Sequence, residues 1–450
     1  MPIHRPFYFL ISIMAMAGLL TGFDAAVISG ALGFVSQYFK LKDHIFIQEL
    51  IVGMVVIGGL FGAFLARPLT SLAGRRMGIF STALIFLMGT LLVSTAHFVF
   101  MLIFGRFILG LAVGLASMIA PMYLSEISPS HCRGSSVFFY QLSVTFGFIT
   151  AYSVNLIFAQ SENWRAMFAI GIIPAMILAL GIWLLPESPR WLISKNKDQE
   201  AQKIIEQFFS SDPDMSLPII KSTLSQSNLA LKALFSKPVF PLLIIAISLF
   251  FFQSFTGINA IFYYAQTIFN TAGFDAKTGA MLASVGLGLA NFIAACLGTK
   301  LVDQMGRRRL LFVGYSGVIL CLLLIGGGSH GFFGAHAVSL SFILLFAYTF
   351  SFGVSLGGIP YIFMAEIFPS KFRDQAMALA SGIGLWGSNM IVLLSFLSLS
   401  KTLGMANVFW FYAILSIFGL IYFWKVLPET RQTSLEDLEK RLTHSGEVVI

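Results

Sequence analysis

Residues 126–133 read Glu-Ile-Ser-Pro-Ser-His-Cys-Arg and residues 366–373 read Glu-Ile-Phe-Pro-Ser-Lys-Phe-Arg, so one motif occurs twice, about 240 positions apart. Two more motifs recur at nearly the same interval: Gly74-Arg75-Arg76 as Gly306-Arg307-Arg308, and Pro186-Glu187-Ser188 as Pro428-Glu429-Thr430. Motifs repeated in one order indicate that the chain consists of two related halves. Each interval is long enough for six membrane-spanning helices with their loops.

The composition is that of a membrane protein. Hydrophobic residues make up 57% of the 450 residues and charged residues 11%, with a mean hydropathy of +0.86, far from the mix of soluble proteins. The stretches able to hold a spanning helix of about 20 residues are 7–34, 50–66, 77–95, 100–123, 135–158, 166–185, 238–269, 278–299, 310–327, 337–364, 375–400 and 405–424. The first is too long for a signal-peptide core, so we expect it to be retained. The sequence predicts an all-α integral membrane protein of twelve transmembrane helices in two pseudo-symmetric six-helix halves.

The predicted domains follow this repeat. They are an N-terminal six-helix half over 1–186, a cytoplasmic helical linker over 187–236, a C-terminal six-helix half over 237–428 and a cytoplasmic tail over 429–450. Within the linker, residues 198–209 show a helical pattern, with Asp198 as a candidate N-cap. A flexible linker is the alternative, because Ser and Asp dominate 210–228.

The net charge of +8 has a definite placement. Most Lys and Arg residues fall on loops of one side: Arg67, Arg75, Arg76, Arg133, the segment from Arg190 to Lys237, Lys300, Arg307, Arg308, Arg309, Lys371, Arg373, Arg431, Lys440 and Arg441. By the positive-inside rule this side is cytoplasmic and holds both termini. We therefore expect a multi-pass protein of the cell inner (plasma) membrane, whose partner is the lipid bilayer and not nucleic acid.

Asp24 lies in the middle of the first predicted span. A carboxylate at membrane depth costs at least about 2.5 kcal/mol, so it is usually kept for a proton or ion pathway and given a partner. Arg106, in the fourth span, is the other charge predicted at such depth. A carboxylate–guanidinium pair that opens when the acid is protonated would act as a proton switch. A permanent ion pair that only fixes packing is the alternative.

Charged residues recur where the spans end on the cytoplasmic side. They are Arg75, Arg76, Glu126, Arg133, Glu187 and Arg190 in the first half, and Asp303, Arg307, Arg308, Glu366, Arg373 and Glu429 in the second. Each half can build a charge network that is made in one conformation and broken in another, and we call these residues the cytoplasmic latch. Simple positive-inside charge is the alternative. A glutamate seven residues before an arginine in both halves favours the latch.

A third group consists of polar and aromatic side chains inside the spans. The candidates for substrate binding are Gln141, Gln253, Ser254, Asn259, Tyr263, Asn291, Tyr361 and Trp386, and the group also includes Asn389 and Tyr264. Amides offer a donor and an acceptor to vicinal hydroxyls, and aromatic faces pack on a sugar ring. The set indicates a neutral, polyhydroxylated ligand. Interhelical hydrogen bonding or core packing is the alternative for each residue singly.

Glycines inside the spans indicate two structural features. Gly257 and the segment Gly357-Gly358-Ile359-Pro360 can interrupt helices near the midplane, where a gate needs them. Gly110 and Gly114 predict close helix packing without chemistry.

Patterns typical of enzymes are missing from the sequence. No nucleotide-binding Gly-rich loop follows a strand, no metal-ligand spacing occurs, and the seven His are scattered. We expect no catalytic residues, no metal site, no cofactor and no enzymatic activity.

Taken together, the motifs resemble the sugar porters of the major facilitator superfamily over nearly the whole chain, and within them the bacterial proton-coupled xylose transporters. The matching segments are both Gly-Arg-Arg motifs, Gly105-Arg106, 120–126, 186–190, Gln253, 257–259, 263–264, 366–369 and 428–430. The resemblance implies alternating access, sugar binding by Gln141, Gln253, Asn259 and Asn291, and proton coupling by Asp24 with Arg106.

Three positions depart from the family's pattern. Ser254 replaces a second glutamine, and Tyr361 replaces a tryptophan. Trp386 lies one residue farther from Arg373 than in the family, so either the eleventh span holds a bulge or Leu385 fills the expected place.

The sequence favours proton-coupled symport of a monosaccharide, a hexose or a pentose. A facilitative sugar or polyol uniporter in which Asp24 is structural is the first alternative. A sugar sensor without transport is the second, although such a protein would be expected to carry a longer signalling tail.

Overall fold

The structure, a computed structural model, describes residues 5–128, 133–209, 217–218, 234–235, 239–275, 278–330, 332, 337–368 and 373–427. The helices of the first half and linker are α1 (Arg5–Tyr38), α2 (Ile45–Ala73), α3 (Arg75–Ser94), α4 (Val99–Ile127), α5 (Arg133–Phe158), α6 (Trp164–Ala169), α7 (Ile172–Gly181), α8 (Pro189–Ser194) and α9 (Asp198–Phe209). The helical pattern predicted over 198–209 is confirmed by α9, whose first residue is Asp198.

The second half is helical as well. Its helices are α10 (Phe240–Ser254), α11 (Ile258–Tyr263), α12 (Ala265–Thr271), α13 (Gly279–Met305), α14 (Arg307–Ser329), α15 (Ala337–Val354), α16 (Ile359–Ile367), α17 (Arg373–Ala380), a π-helical turn (Ser381–Gly387), α18 (Ser388–Leu403) and α19 (Met405–Val426). Among the described residues, twelve helical segments are long and apolar enough to cross a membrane. The predicted twelve-span, all-α architecture is confirmed.

Two spans are interrupted where their glycines predicted it. Gly257 adopts a left-handed φ of 86° between α10 and α11. The tenth span stops at Val354 and resumes at Ile359, with Pro360 in the first turn of α16. Proline suits a first turn because the amide it lacks would have no helical partner there.

Packing divides the chain into two compact units. Unit 1 comprises Met1–Ala25, Met54–Ala151 and Trp164–Leu229, and unit 2 comprises Ala26–Gly53, Tyr152–Asn163 and Ala230–Ile450. Unit 2 therefore takes in segments of α1, α2 and α5 together with the helices of the second half. The domain boundaries set from the repeat stay a prediction. The linker residues around 210–233 and the tail lie mostly or wholly outside the described residues.

In unit 1, α2 and α4 pack closely through glycines. A β-carbon on Gly110 would collide with the carbonyl oxygen of Val55, and one on Gly114 with that of Gly59. This confirms the close packing predicted for Gly110 and Gly114. It also holds α4, which carries Arg106, at a short distance from α2.

We expect Gly110→Ala to destabilise the protein, because the new methyl group must push α2 away from α4, and overpacking typically costs about 1–3 kcal/mol. The measurement is the thermal unfolding midpoint in detergent. Gly134→Ala is the control, since a β-carbon there meets no atom within 4 Å. Equal midpoints for the two variants would contradict the close contact.

Candidate functional site

Asp24 on α1 and Arg106 on α4 form a buried ion pair in unit 1. Arg106 Nη1 donates to Asp24 Oδ1 at 2.7 Å, and the side chains are 0% and 1% exposed. The second carboxylate oxygen, Oδ2, has no hydrogen-bond partner among the described residues. The guanidinium also lies 5.8 Å from the centre of the Phe168 ring. The predicted pair is therefore present in this conformation.

The geometry of this pair suits a proton switch. Two opposite charges stabilise one another in this buried site, so removing either charge leaves the other buried and unpaired. Adding a proton to Asp24 would cancel its charge and loosen the hold on Arg106. The unpartnered Oδ2 is the carboxylate oxygen available to receive that proton.

In unit 1, Glu126 and Arg75 form the centre of a charged cluster at one end of the helices. Arg75 Nε and Nη2 donate to the two oxygens of Glu126 at 2.8 and 2.9 Å, a bidentate arrangement. Ser188 Oγ donates to the same carboxylate. Paired forks of this kind are among the stronger charge-assisted contacts.

Glu187 caps the start of α3 in the same cluster. Its carboxylate accepts the backbone N–H groups of Arg75 at 2.9 Å, Arg76 at 3.2 Å and Ser188 at 2.8 Å. Burial raises the pKa of Glu187, and the three N–H bonds offset part of that rise. Gly74 precedes α3 with a φ of 93°, and a β-carbon there would collide with the Glu187 carboxylate. Glycine is thus required at position 74 for two reasons.

The second half repeats much of this arrangement. Arg307 donates to Glu366 Oε1 from Nη2 at 2.8 Å and from Nε at 3.1 Å. Arg76 donates to the carbonyl oxygen of Trp183 at 2.6 Å, and its counterpart Arg308 donates to that of Trp424 at 2.7 Å. The sequence duplication is therefore also a duplication of contacts.

Some predicted latch residues are not placed by the structure. The side chains of Arg133, Asp303 and Arg373, and all of Glu429, lie outside the described residues. Arg190 is described, but it forms no ion pair with another described residue, and its Nε is buried without a hydrogen-bond partner there. Whether the latch opens and closes stays a prediction.

In unit 2, Gln253 ties the two interrupted spans together. Its Nε2 donates to the carbonyl oxygen of Leu356, in the break of the tenth span, at 2.7 Å. Tyr348 in turn donates to the carbonyl oxygen of Thr256, in the break of the seventh, at 2.9 Å. The Oε1 atom of Gln253 is buried and has no partner among the described residues. It is an acceptor available to a ligand hydroxyl.

Asn259 and Asn389 also meet in unit 2. The Asn259 amide donates to Asn389 Oδ1, so each has a satisfied group and a further one to offer. Asn291 and Tyr263 are buried, at 6% and 7% exposure, and Ser254 is wholly buried with its Oγ unpartnered among the described residues. Asn389, one of the polar span residues singled out from the sequence, is thus bonded to a candidate substrate residue.

The eleventh span holds a bulge. Residues Ser381–Gly387 form a π-helical turn, which accommodates one additional residue within a helix. This decides between the two explanations offered for the spacing of Trp386, in favour of the bulge. Trp386 lies in this turn at 7% exposure, and its indole Nε1 is buried without a partner among the described residues.

Two remaining candidates lie apart from these contacts. Tyr361 is 38% exposed, with its ring centre 5.0 Å from that of Phe250 in an edge-on contact. Gln141, on α5, is half-buried in unit 1 and is the one predicted substrate residue outside unit 2. The sugar-binding roles of the whole set stay a prediction.

The prediction from sequence missed Glu49 in α2, a carboxylate that is 1% exposed. The predicted second span begins at residue 50 and so leaves this acid out. The observed helix begins at Ile45. Extending the apolar pattern by one turn would have found Glu49 at a span end.

Comparison with known proteins gives consistent matches over nearly the whole chain. The family model described as "Sugar (and other) transporter" matches residues 10–442. The galactose-proton symporter of Escherichia coli (strain K12) is 36% identical over 446 residues, covering 97% of this chain and 94% of the relative. The arabinose-proton symporter of the same strain is 35% identical over 437 residues, with 95% and 92% coverage. The inward open conformation of the xylose transporter XylE from E. coli superposes with a TM-score of 0.83 at 26% identity, covering 96% of this chain and 99% of that one.

We expect Glu126→Gln to lower stability, because it leaves the half-buried Arg75 without its carboxylate, a loss on the order of 1–2 kcal/mol. The measurement is the unfolding midpoint in detergent. Glu200→Gln is the control, since Glu200 pairs with Lys197 on an exposed surface, where ion pairs contribute about 0–1 kcal/mol. A midpoint shift no larger than the control's would contradict a structural role for the pair.

Proposed function

Since this chain belongs to the sugar transporter family, we propose that it moves a monosaccharide across the membrane together with a proton, by alternating access. The observation that carries the proposal is the buried pair of Asp24 and Arg106. A carboxylate and a guanidinium at this depth are costly to keep, and such pairs mark proton pathways in membrane proteins.

The position of Asp24 supports coupling. Helix α1 passes from unit 1 to unit 2 directly after it, between Ala25 and Ala26. A proton on Asp24 would weaken its bond to Arg106 and so release α1 from α4 at this point. Substrate movement would then depend on whether the proton is bound.

The amides of unit 2 form the proposed sugar site. Gln253, Asn259 and Asn389 offer donors and acceptors beside the two helix interruptions, and Trp386 adds a ring and an N–H group. Amides and an aromatic face suit a neutral ring with several hydroxyls. We include Asn291, Tyr263, Ser254 and Tyr361 in this proposal, while a substrate role for Gln141, in unit 1, stays a separate prediction.

The relatives named for galactose and arabinose support hexoses or pentoses as the substrate class. The chain differs from the family at Ser254, which is shorter than glutamine, and at Tyr361. Because these two positions change the polar groups available to the ring, the sugar transported here need not be the one transported by a given relative.

Facilitated diffusion is the second candidate function. One observation favours it: the Asp24–Arg106 pair is closed and fully buried, as a permanent structural pair would be. In that case the sugar would equilibrate without being concentrated. A sensor without transport would bind sugar and move none.

We further propose the setting in which this activity takes place. The protein would be a multi-pass protein of the plasma membrane with both termini in the cytoplasm, as the placement of its basic loops predicts. The charged clusters around Glu126 and Glu366 would act as the cytoplasmic latch. The relatives named above are transporters, and the lack of enzymatic activity in this chain stays a prediction.

We expect Asp24→Asn to abolish concentration of sugar in liposomes with acid outside, while exchange of labelled sugar continues. The amide can still accept from Arg106 but cannot take up a proton. One proton moving through about 100 mV contributes about 2.3 kcal/mol, enough for roughly fifty-fold accumulation by the unaltered protein. Uptake of labelled galactose, arabinose, xylose and glucose is measured.

Asp43→Asn is the matched control, since Asp43 is an exposed carboxylate in the loop between α1 and α2. It should concentrate sugar like the unaltered protein. Equilibration without concentration in the unaltered protein would favour facilitated diffusion. Concentration retained by Asp24→Asn would place coupling elsewhere.

We expect Trp386→Phe to weaken sugar binding about 5–10-fold, because it removes one hydrogen bond between the indole N–H and the sugar. Its N–H has no partner among the described residues, so no internal hydrogen bond of theirs is lost. Trp410→Phe is the control, because that indole already donates to the carbonyl oxygen of Leu323 at 3.1 Å. Calorimetry with the same four sugars is the measurement. Unchanged affinity for all of them would remove Trp386 from the site.

A further inference from the structure

The Glu49 carboxylate of α2 is bound by a single residue of α18 within unit 2. Glu49 Oε1 accepts the backbone N–H of Ser398, and Oε2 accepts the hydroxyl of Ser398, both at 2.7 Å. We call this contact the outer clasp, because it lies at the span ends opposite the Arg75 and Arg307 clusters. Neither residue has a part in the proton or sugar sites proposed above.

The clasp holds a buried carboxylate with neutral donors alone. Glu49 is 1% exposed, and no Lys, Arg or His of the described residues forms an ion pair with it. A buried carboxylate is costly unless its oxygens are well bonded, and here both are. The arrangement differs from that of Asp24, whose charge is balanced by a guanidinium.

Two other bonds join first-half segments to second-half helices within unit 2. The N–H of Gln266 donates to Ser29 Oγ at 3.1 Å, and Tyr152 donates to the carbonyl oxygen of Phe262 at 2.8 Å. Segments of α1, α2 and α5 are thereby each bonded to a helix of the second half. Of these three contacts, the outer clasp is the one with a charged group.

Packing beside the clasp is close. One helical turn after Glu49, a β-carbon on Gly53 would collide with the side chain of Leu394. Leu394 in turn lies one turn before Ser398 on α18. The absence of a side chain at Gly53 therefore lets α2 approach α18 closely enough for the carboxylate to reach a backbone N–H.

We propose that Glu49 is a positioning residue for transport, which holds the outer end of α2 on α18 and so sets the fraction of molecules closed to the outside. This rests on the proposed alternating access, in which first-half and second-half helices must separate at this end to admit a substrate. Separation would break both bonds to Ser398 and hydrate the carboxylate.

The chemistry of the clasp makes this closure reversible. In the closed state the carboxylate receives two charge-assisted hydrogen bonds, which are stronger than neutral ones. In the open state water solvates the same charge and offsets the loss of the two hydrogen bonds. An apolar pair at these positions would gain nothing from water on opening, and an ion pair with lysine or arginine would hold more tightly.

The test measures the distance between spin labels on cysteines replacing Gln37 and Lys401, both exposed at this end of unit 2. The background is the full-length chain with its three native cysteines replaced. In Glu49→Ala we expect the ratio of the short-distance to the long-distance population to fall about tenfold, which corresponds to about 1.4 kcal/mol. In Ser398→Ala, which keeps the backbone N–H, this ratio should fall less.

Asp43→Ala is the matched control, because it removes an exposed carboxylate from the neighbouring loop. It should leave both populations unchanged. The double variant Glu49→Ala with Ser398→Ala should match Glu49→Ala alone, since the hydroxyl acts through the carboxylate. If the clasp were only a permanent packing contact, Glu49→Ala would lower the unfolding midpoint without changing the two distance populations. That result would overturn the proposal.

The measurement needs neither a sugar nor a proton gradient, so its failure differs from failure of the transport proposal. Unchanged distances in a protein that still concentrates sugar would refute the clasp alone. Shifted distances in a protein that transports nothing would retain the clasp and refute symport. In the proposal the Ser398 hydroxyl acts through the Glu49 carboxylate. A larger fall of the population ratio in Ser398→Ala than in Glu49→Ala would therefore also contradict it.

Discussion

Backbone N–H and C=O groups inside a bilayer have no water to bond, so each must find its partner within the protein. Helices solve this locally, and the described residues of this chain cross the membrane as helices alone. Where two spans are interrupted, side chains replace the missing helical bonds. Gln253 binds the carbonyl oxygen of Leu356, and Tyr348 that of Thr256. The interruptions are thus possible because they satisfy each other.

The same constraint sorts the charges. At the span ends, where water is near, each half builds a cluster in which an arginine holds a glutamate, Arg75 with Glu126 and Arg307 with Glu366. Within the spans a charge needs a dedicated partner, and Asp24 has Arg106. The duplicated clusters follow from the duplicated sequence. The buried pair has no counterpart in the repeat, which agrees with a role in coupling and not in holding a half together.

The cost of burying a carboxylate is offset in different ways at Asp24 and at Glu49. Asp24 faces the guanidinium of Arg106, which balances its charge within the pair. Glu49 faces an N–H and a hydroxyl of Ser398, so water can replace both donors when the helices separate. In the proposed mechanism the first contact would respond to protons and the second to separation of the helices, the two elements that proton-driven alternating access requires. The first lies in unit 1 and the second in unit 2.

The sequence by itself determined the twelve spans, the interruption at Gly257 and the pairing of Asp24 with Arg106. Hydropathy and the cost of a buried charge depend on residue type and can be read along the chain. Only the tertiary structure decided that Asn259 binds Asn389, that a π turn absorbs the residue before Trp386, that Arg190 makes no described ion pair, and that Glu49 reaches Ser398. Spans that are apolar on every side carry no periodic signal for which faces meet. The rotation of each helix, and with it every contact between distant polar side chains, is set by packing.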